Sequence, residues 1–238
     1  MKAPLIIISI ACLLLTASAA SAEWFVDLYA GQSFTEKSDV TVHSAAGLGV
    51  FRDVEFERSL AYGGRLGRYF DGVPFIGFGV DVSRFSPRIG PQRVRVDGCV
   101  PSGGCGGGQG GTNALDVDVI AISPDVILRL PLLKTDKAPW GSLQPYVTAG
   151  VPLFWTTITP RTTARFRNHD DDSDLSFGYK FGGGLAVQVA SNLMLFGEYR
   201  LTHVQPAVEL RDAATLHHAP VRTDLDTHTL LLGISARW

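Results

Sequence analysis

The strongest constraint on this chain is a two-residue alternation that puts mid-segment charge on one phase only. Residues 192–206 read NLMLFGEYRLTHVQP. One phase is Leu193, Leu195, Gly197, Tyr199 and Leu201, and the other is Met194, Phe196, Glu198, Arg200 and Thr202. Successive side chains of a strand point to opposite faces, so one face of this strand is apolar and the other carries charge. Just before it, Phe177, Tyr179, Phe181, Leu185, Val187 and Val189 oppose Ser176, Gly178, Lys180, Gly182, Gly184, Ala186 and Gln188. The same alternation marks segments starting near Trp24, Leu60, Ile76, Ile120 and Thr229, and less cleanly 145–159. These eight segments read as strands.

The connections between them are sorted by length. Residues 71–74, 131–144 and 190–192 are short to moderate. Residues 35–56, 87–113, 160–174 and 205–226 are long and polar. Long and short alternate strictly, which predicts an all-β fold: an eight-stranded antiparallel up-and-down transmembrane β-barrel with turns at one rim and loops at the other. The charges then point inward, because Arg200 on a lipid face at the bilayer midplane would cost about 2–4 kcal/mol. The mid-strand inward charges are Asp27, Asp81, Asp125 and Glu198 against Arg65, Arg129, Lys180 and Arg200, four acids and four bases. A balanced set predicts a mutually paired lumen rather than an ion-selective pore, with glycines on the same phase leaving room for the long side chains. The inverse assignment is a soluble, lipocalin-like barrel with its apolar face inside. Pro124 and Pro152 each remove a ladder donor and are expected to mark bulges.

The N-terminus supports export. Lys2, the apolar run 5–16 and the Ala20-Ser21-Ala22 site have the three parts of a secretory signal. The run is too short to span a bilayer. The expected division is a signal peptide at 1–22 and one barrel domain at 23–238, with processing as a lipoprotein at Cys12 as the rival. Cys99 and Cys105, in DGCVPSGGCGGGQGG, would meet oxidising conditions and are expected to form a small local disulfide; a metal site lacks a nearby histidine. The run 103–111 is expected to be a flexible loop. It is no phosphate cradle, since it lacks the Lys-Ser/Thr and the strand–helix setting.

The chain resembles the small outer-membrane barrels of the OmpA-like and opacity-protein type. The residues that carry the likeness are LQPYVTAGVPLFWTT (143–157), FGYKFGGGLAVQVASNLMLFGEYRLTHV (177–204) and the terminal THTLLLGISARW (227–238). The resemblance implies that Trp238 occupies the terminal aromatic position read by the barrel-insertion machinery. It is specific for architecture and weak for function, because such barrels serve many roles.

Chemistry is sparse. Clustered carboxylates in NHDDDSD (168–174) could hold a divalent cation but lack the spacing of a calcium loop. His203, His217, His218 and His228 lie towards the loop-bearing end, with His228 sharing the outward phase of Trp238, yet no Ser–His–acid set is legible. No catalysis and no cofactor are expected, and a formal charge of −2 gives no global field for nucleic acid. The expected location is the outer membrane of a Gram-negative bacterium, with both termini in the periplasm. The expected role is structural or interactive, through long external loops that meet lipopolysaccharide or a surface ligand. The alternative is a narrow channel for small solutes.

Overall fold

The structure, a computed structural model, describes residues 23–44, 47–99, 103–112, 115–135, 138, 140–160, 173–211 and 218–238. These residues form strands and no helix. The expected signal peptide and the Cys12 rival lie outside them, as do His217 and most of the acidic run 168–174.

The first stave is β1 (Trp24–Thr35), and β2 (Ser38–Ser44) and β3 (Gly47–Val54) fill the first long connection. Next, β4 (Ser59–Phe70) and β5 (Val73–Phe85) form a hairpin. The second long connection holds β6 (Arg88–Ile89), β7 (Gln92–Cys99) and β8 (Cys105–Thr112). The chain returns as β9 (Leu115–Arg129), and β10 (Leu143–Gly150) and β11 (Leu153–Pro160) together make one stave. Then come β12 (Ser173–Ala190), β13 (Leu193–Val204), β14 (Ala207–Arg211), β15 (His218–Thr223) and β16 (Leu225–Arg237).

Antiparallel pairing runs β1–β4–β5–β9–β10/β11–β12–β13–β16 and closes where β16 pairs with β1. The result is a closed eight-stave barrel, so the barrel has no edge strand. The turns Asp71-Gly72 and Ser191-Asn192 are two residues long, tighter than the sequence suggested, because Val73 and Ala190 already pair in their ladders.

The prolines correct one expectation. Gly150 pairs with Asp125 and Leu153 with Ile122, and on the other side Gly150 pairs with Lys180 and Leu153 with Phe177. Three residues oppose three on both flanks, so no residue is inserted and neither Pro124 nor Pro152 makes a bulge. The ladder is interrupted at Val151 and Pro152 without changing register: the Pro152 carbonyl still accepts from the Gly178 N–H at 3.1 Å. The bulge in this arc lies instead at the foot of β12, between Gln188 and Ala190.

The two phases separate cleanly. Leu232 is 76% exposed and Phe177 73%, whereas Asp125 and Ser123 are 0% exposed. Eight staves enclose only enough space for side chains, and β9 shows how that space is used. From the loop end its inward residues are Val117, Val119, Ala121, Ser123, Asp125, Ile127 and Arg129. The lumen is therefore layered, not polar throughout. An apolar plug of Val119, Phe154, Val204, Leu225 and Leu231 stands towards the loops. Below the charges a smaller cluster joins Phe25, Tyr69 and Ile127.

Three of the four long connections form strands among the described residues. β14, β15, β2, β3, β7 and β8 build a second, six-stranded sheet at the loop-bearing rim, whose Val54 and Val94 share an apolar cluster with Ile89 of β6, itself paired to β9. The glycine-rich run expected to be flexible is mostly β8, laddered along β7 from Gln92–Thr112 to Cys99–Cys105. Cross-strand backbone bonds to a β7 rich in Val and Arg supply what the glycines lack in propensity.

Candidate functional site

The inward charges meet because the register brings them into line. Asp27 sits opposite Arg65 on β4, Arg65 opposite Asp81 on β5, and Asp81 opposite Ser123 on β9. From the far wall β12 contributes Lys180, and β13 contributes Glu198 and Arg200. Two glycines open the space. A Cβ on Gly150 would lie 2.2 Å from Asp125 Oδ1, and one on Gly182 would lie 2.5 Å from Thr148 Oγ1.

Arg65 is the hub. Its Nη2 donates to Glu198 Oε2 at 3.0 Å, and its guanidinium lies 3.4–3.5 Å from Asp27, Asp81 and Asp125. Lys180 Nζ donates to Asp125 at 2.8 Å and to Asp81 at 3.0 Å. Arg200 donates through Nε to Glu198 at 2.9 Å and through Nη1 to Asp81 at 3.3 Å, with its guanidinium over the Tyr29 ring. The Tyr29 hydroxyl donates to Asp81 at 2.7 Å and the Tyr146 hydroxyl to Glu198 at 3.0 Å.

Arg129 stands apart from the set in which the sequence placed it. It pairs with Glu23 nearer the turn-bearing rim, beside Arg237 and Gln144, and its guanidinium stacks 3.5 Å from the Tyr69 ring centre. Glu23 and Arg237 were missed as network members. Arg237 was legible from its inward phase, but Glu23 precedes β1 and has no alternation to place it. With them the described lumen residues include five buried carboxylates (Glu23, Asp27, Asp81, Asp125, Glu198) and five buried cations (Arg65, Arg129, Lys180, Arg200, Arg237). Buried charges persist when paired and hydrogen-bonded, and this balance meets that condition. Cavities of about 20 and 10 Å³ flank the central layer. Each has room for about one water molecule.

At the loop-bearing rim, His203 Nδ1 meets Asp226 at 2.6 Å and stacks on Tyr179. The Tyr199 hydroxyl meets His228 Nδ1 at 2.5 Å, and His228 Nε2 meets Glu36 at 2.8 Å. All these groups face outward. The hydroxyl at His228 is a phenol, and among the described residues no serine hydroxyl bonds either histidine. No metal-type cluster of His, Cys, Asp and Glu occurs among the described residues. Cys99 and Cys105 face each other across the tip of the β7–β8 hairpin and are bonded. Trp238 exchanges two backbone hydrogen bonds with Trp24, at 2.9 and 3.1 Å, where the barrel closes.

A closed eight-stave barrel with an outward apolar surface and a paired, charged interior defines an outer-membrane β-barrel protein. The chain belongs to the family described as outer membrane protein beta-barrel domain, which matches residues 7–237. Its place is the outer membrane. No curated protein sequence matches the chain. Among solved structures it is similar to Neisserial surface protein A, at 15% identity over 90% of this chain and 97% of that one, with a TM-score of 0.45. It is similar to the outer membrane protein OprG from Pseudomonas aeruginosa, at 12% identity over 92% and 96%, with a TM-score of 0.47. It is also similar to the outer membrane protease OmpT from Escherichia coli, at 10% identity over 94% and 99%, with a TM-score of 0.47. Likenesses this distant carry no inference about activity.

Proposed function

We propose that this barrel is a non-conducting anchor that presents its six-stranded rim sheet to the outside of the cell, with the turns and both ends of the barrel domain towards the periplasm. The observation that carries this reading is the ion-paired layer across the lumen, roofed by an apolar plug. A channel would need a continuous wetted path, and opening one here would expose Val119, Phe154 and Leu225 and separate Arg65 from Glu198. The rim sheet supports the presenting role: it is held by ladders, an apolar cluster shared with the barrel and a disulfide, so it offers a fixed surface to lipopolysaccharide or another surface ligand. Trp238, paired to Trp24 at the closing seam, suits recognition by the barrel-insertion machinery. Neither a reaction nor a nucleic-acid partner is part of this reading.

Planar-bilayer recording of the refolded protein tests it. The wild type should give no steady unitary conductance, and Arg200→Leu, which unpairs part of the central layer, should raise the current. Regular openings of the wild type at modest voltage would replace this reading with the narrow channel.

A further inference from the structure

Along the turn-bearing half of the barrel, the outward stave positions among the described residues carry one charged side chain, Arg68 on β4. Its register neighbours are Trp24 on β1 and Phe78 on β5, both exposed, and exposed Phe70 follows two residues on. The guanidinium carbon lies 5.6 Å from the Trp24 ring centre and 6.0 Å from that of Phe70. Its Nε is buried and has no hydrogen-bond partner, and no acid pairs with it among the described residues. At the loop-bearing rim two outward arginines do have acids, Arg84 with Asp118 and Arg88 with Asp116, whereas Arg58 there lies over the Phe34 ring.

We propose that Arg68, held between Trp24 and Phe70, is a binding site for the phosphodiester of an anionic phospholipid. Aromatic side chains gather at the height of the lipid headgroups, so the rings place the guanidinium at the level of the phosphates. A guanidinium presents a planar fork that matches phosphate oxygens, and the two rings keep that fork from rotating freely. The site brings no carboxylate of its own. An anionic headgroup neutralises it fully, whereas a zwitterionic one arrives with an ammonium that competes for the same phosphate. Leu66 and Phe78 continue the outward surface where the acyl chains would lie. An arginine that merely snorkels to the interface would draw an anionic headgroup by charge alone, and a lysine in its place would then do as well.

Assigning this lipid to the periplasmic leaflet rests on the orientation proposed above, but the binding site does not. Detergent micelles have no leaflets, so a test there bears on the site alone. Refolded protein in detergent is offered equal amounts of phosphatidylglycerol and phosphatidylcholine and examined by native mass spectrometry. The wild type should retain phosphatidylglycerol about fivefold better than Arg68→Gln, the share expected of one arginine near an anionic surface. Arg68→Lys, which keeps the charge without the fork, should fall between them. Equal retention by the wild type and either variant overturns the proposal. Should Arg68→Gln not refold, the wild type decides: it must prefer phosphatidylglycerol at low salt and lose that preference as salt screens the charge. An absent preference at low salt also overturns it.

Discussion

Glu198, Tyr199 and Arg200 are consecutive, yet they live in different media. Tyr199 points outward and reaches His228, while its neighbours point into the charged layer. Arg200→Leu leaves Glu198 and Asp81 each short of a partner, although Arg65 and Lys180 still serve them. Breaking a buried pair typically costs about 3–5 kcal/mol, and the remaining cations should hold the loss to the lower part of that range. Urea unfolding in lipid or detergent should show a clear fall in midpoint for Arg200→Leu and a much smaller one for Tyr199→Leu. Combining Arg200→Leu with Glu198→Gln should lose less than the sum of the two, because the pair is removed together. Strict additivity would show that they do not act as a pair. The sequence made this inward phase legible, since two-residue periodicity assigns every stave residue to a face. It did not give partners. Lys180 pairs with Asp81 and Asp125, not with Glu198 on the adjoining strand, which the register sets opposite Gly184; periodicity encodes neither that register nor the partners across the lumen.

At the scale of elements, staves were legible and rim strands were not. A stave between two media is forced to alternate. The rim strands are short, polar and glycine-rich, so β2, β3, β7 and β8 read as loops until their pairing is seen. One device is local. Asp53 adopts a positive φ of 54°, a conformation aspartate tolerates, and its N–H donates to Asp39 at 3.0 Å beside the shift in the β2–β3 register. Arg52 then bridges Asp39 and Asp97, joining β2, β3 and β7. The Asp53 N–H, followed by Arg52, holds the Asp39 carboxyl below its usual 3.8, and Arg52 and Arg95 do the same for Asp97. A depressed value in the folded state means that these contacts stabilise the sheet fully above the unfolded value and are lost as pH falls through the folded one. Amide exchange, corrected for its intrinsic pH dependence, should therefore accelerate in β2, β3 and β7 below about pH 4 while the staves stay protected. Uniform protection at low pH would remove these carboxylates from the account. The hairpin disulfide makes a separate prediction. Alkylation without reductant should leave Cys99 and Cys105 unmodified, and reduction should loosen the β7–β8 tip while barely moving the barrel's unfolding midpoint. Two alkylated thiols in freshly isolated protein would refute the bond.

For the molecule as a whole, apolar surface faces out and charge faces in, the reverse of a soluble barrel. The lumen closes by ion pairing in its middle and by packing towards the loops. The outward surface suits lipid along every stave, and its charges are confined to the rims, at Arg68 on one side and at Arg84, Asp118, His228 and Glu36 on the other. Spin labels placed one at a time along β13, in a background with Cys99 and Cys105 replaced by serine, test this arrangement directly. In lipid vesicles, collision with oxygen should be high and with a water-soluble nickel chelate low at 195, 197, 199 and 201. Both should be low at 194, 196, 198, 200 and 202, giving a two-residue oscillation in oxygen access alone. Nickel access at the even positions would mean an open, wetted lumen, and an oscillation of opposite phase would mean that the barrel is inside out.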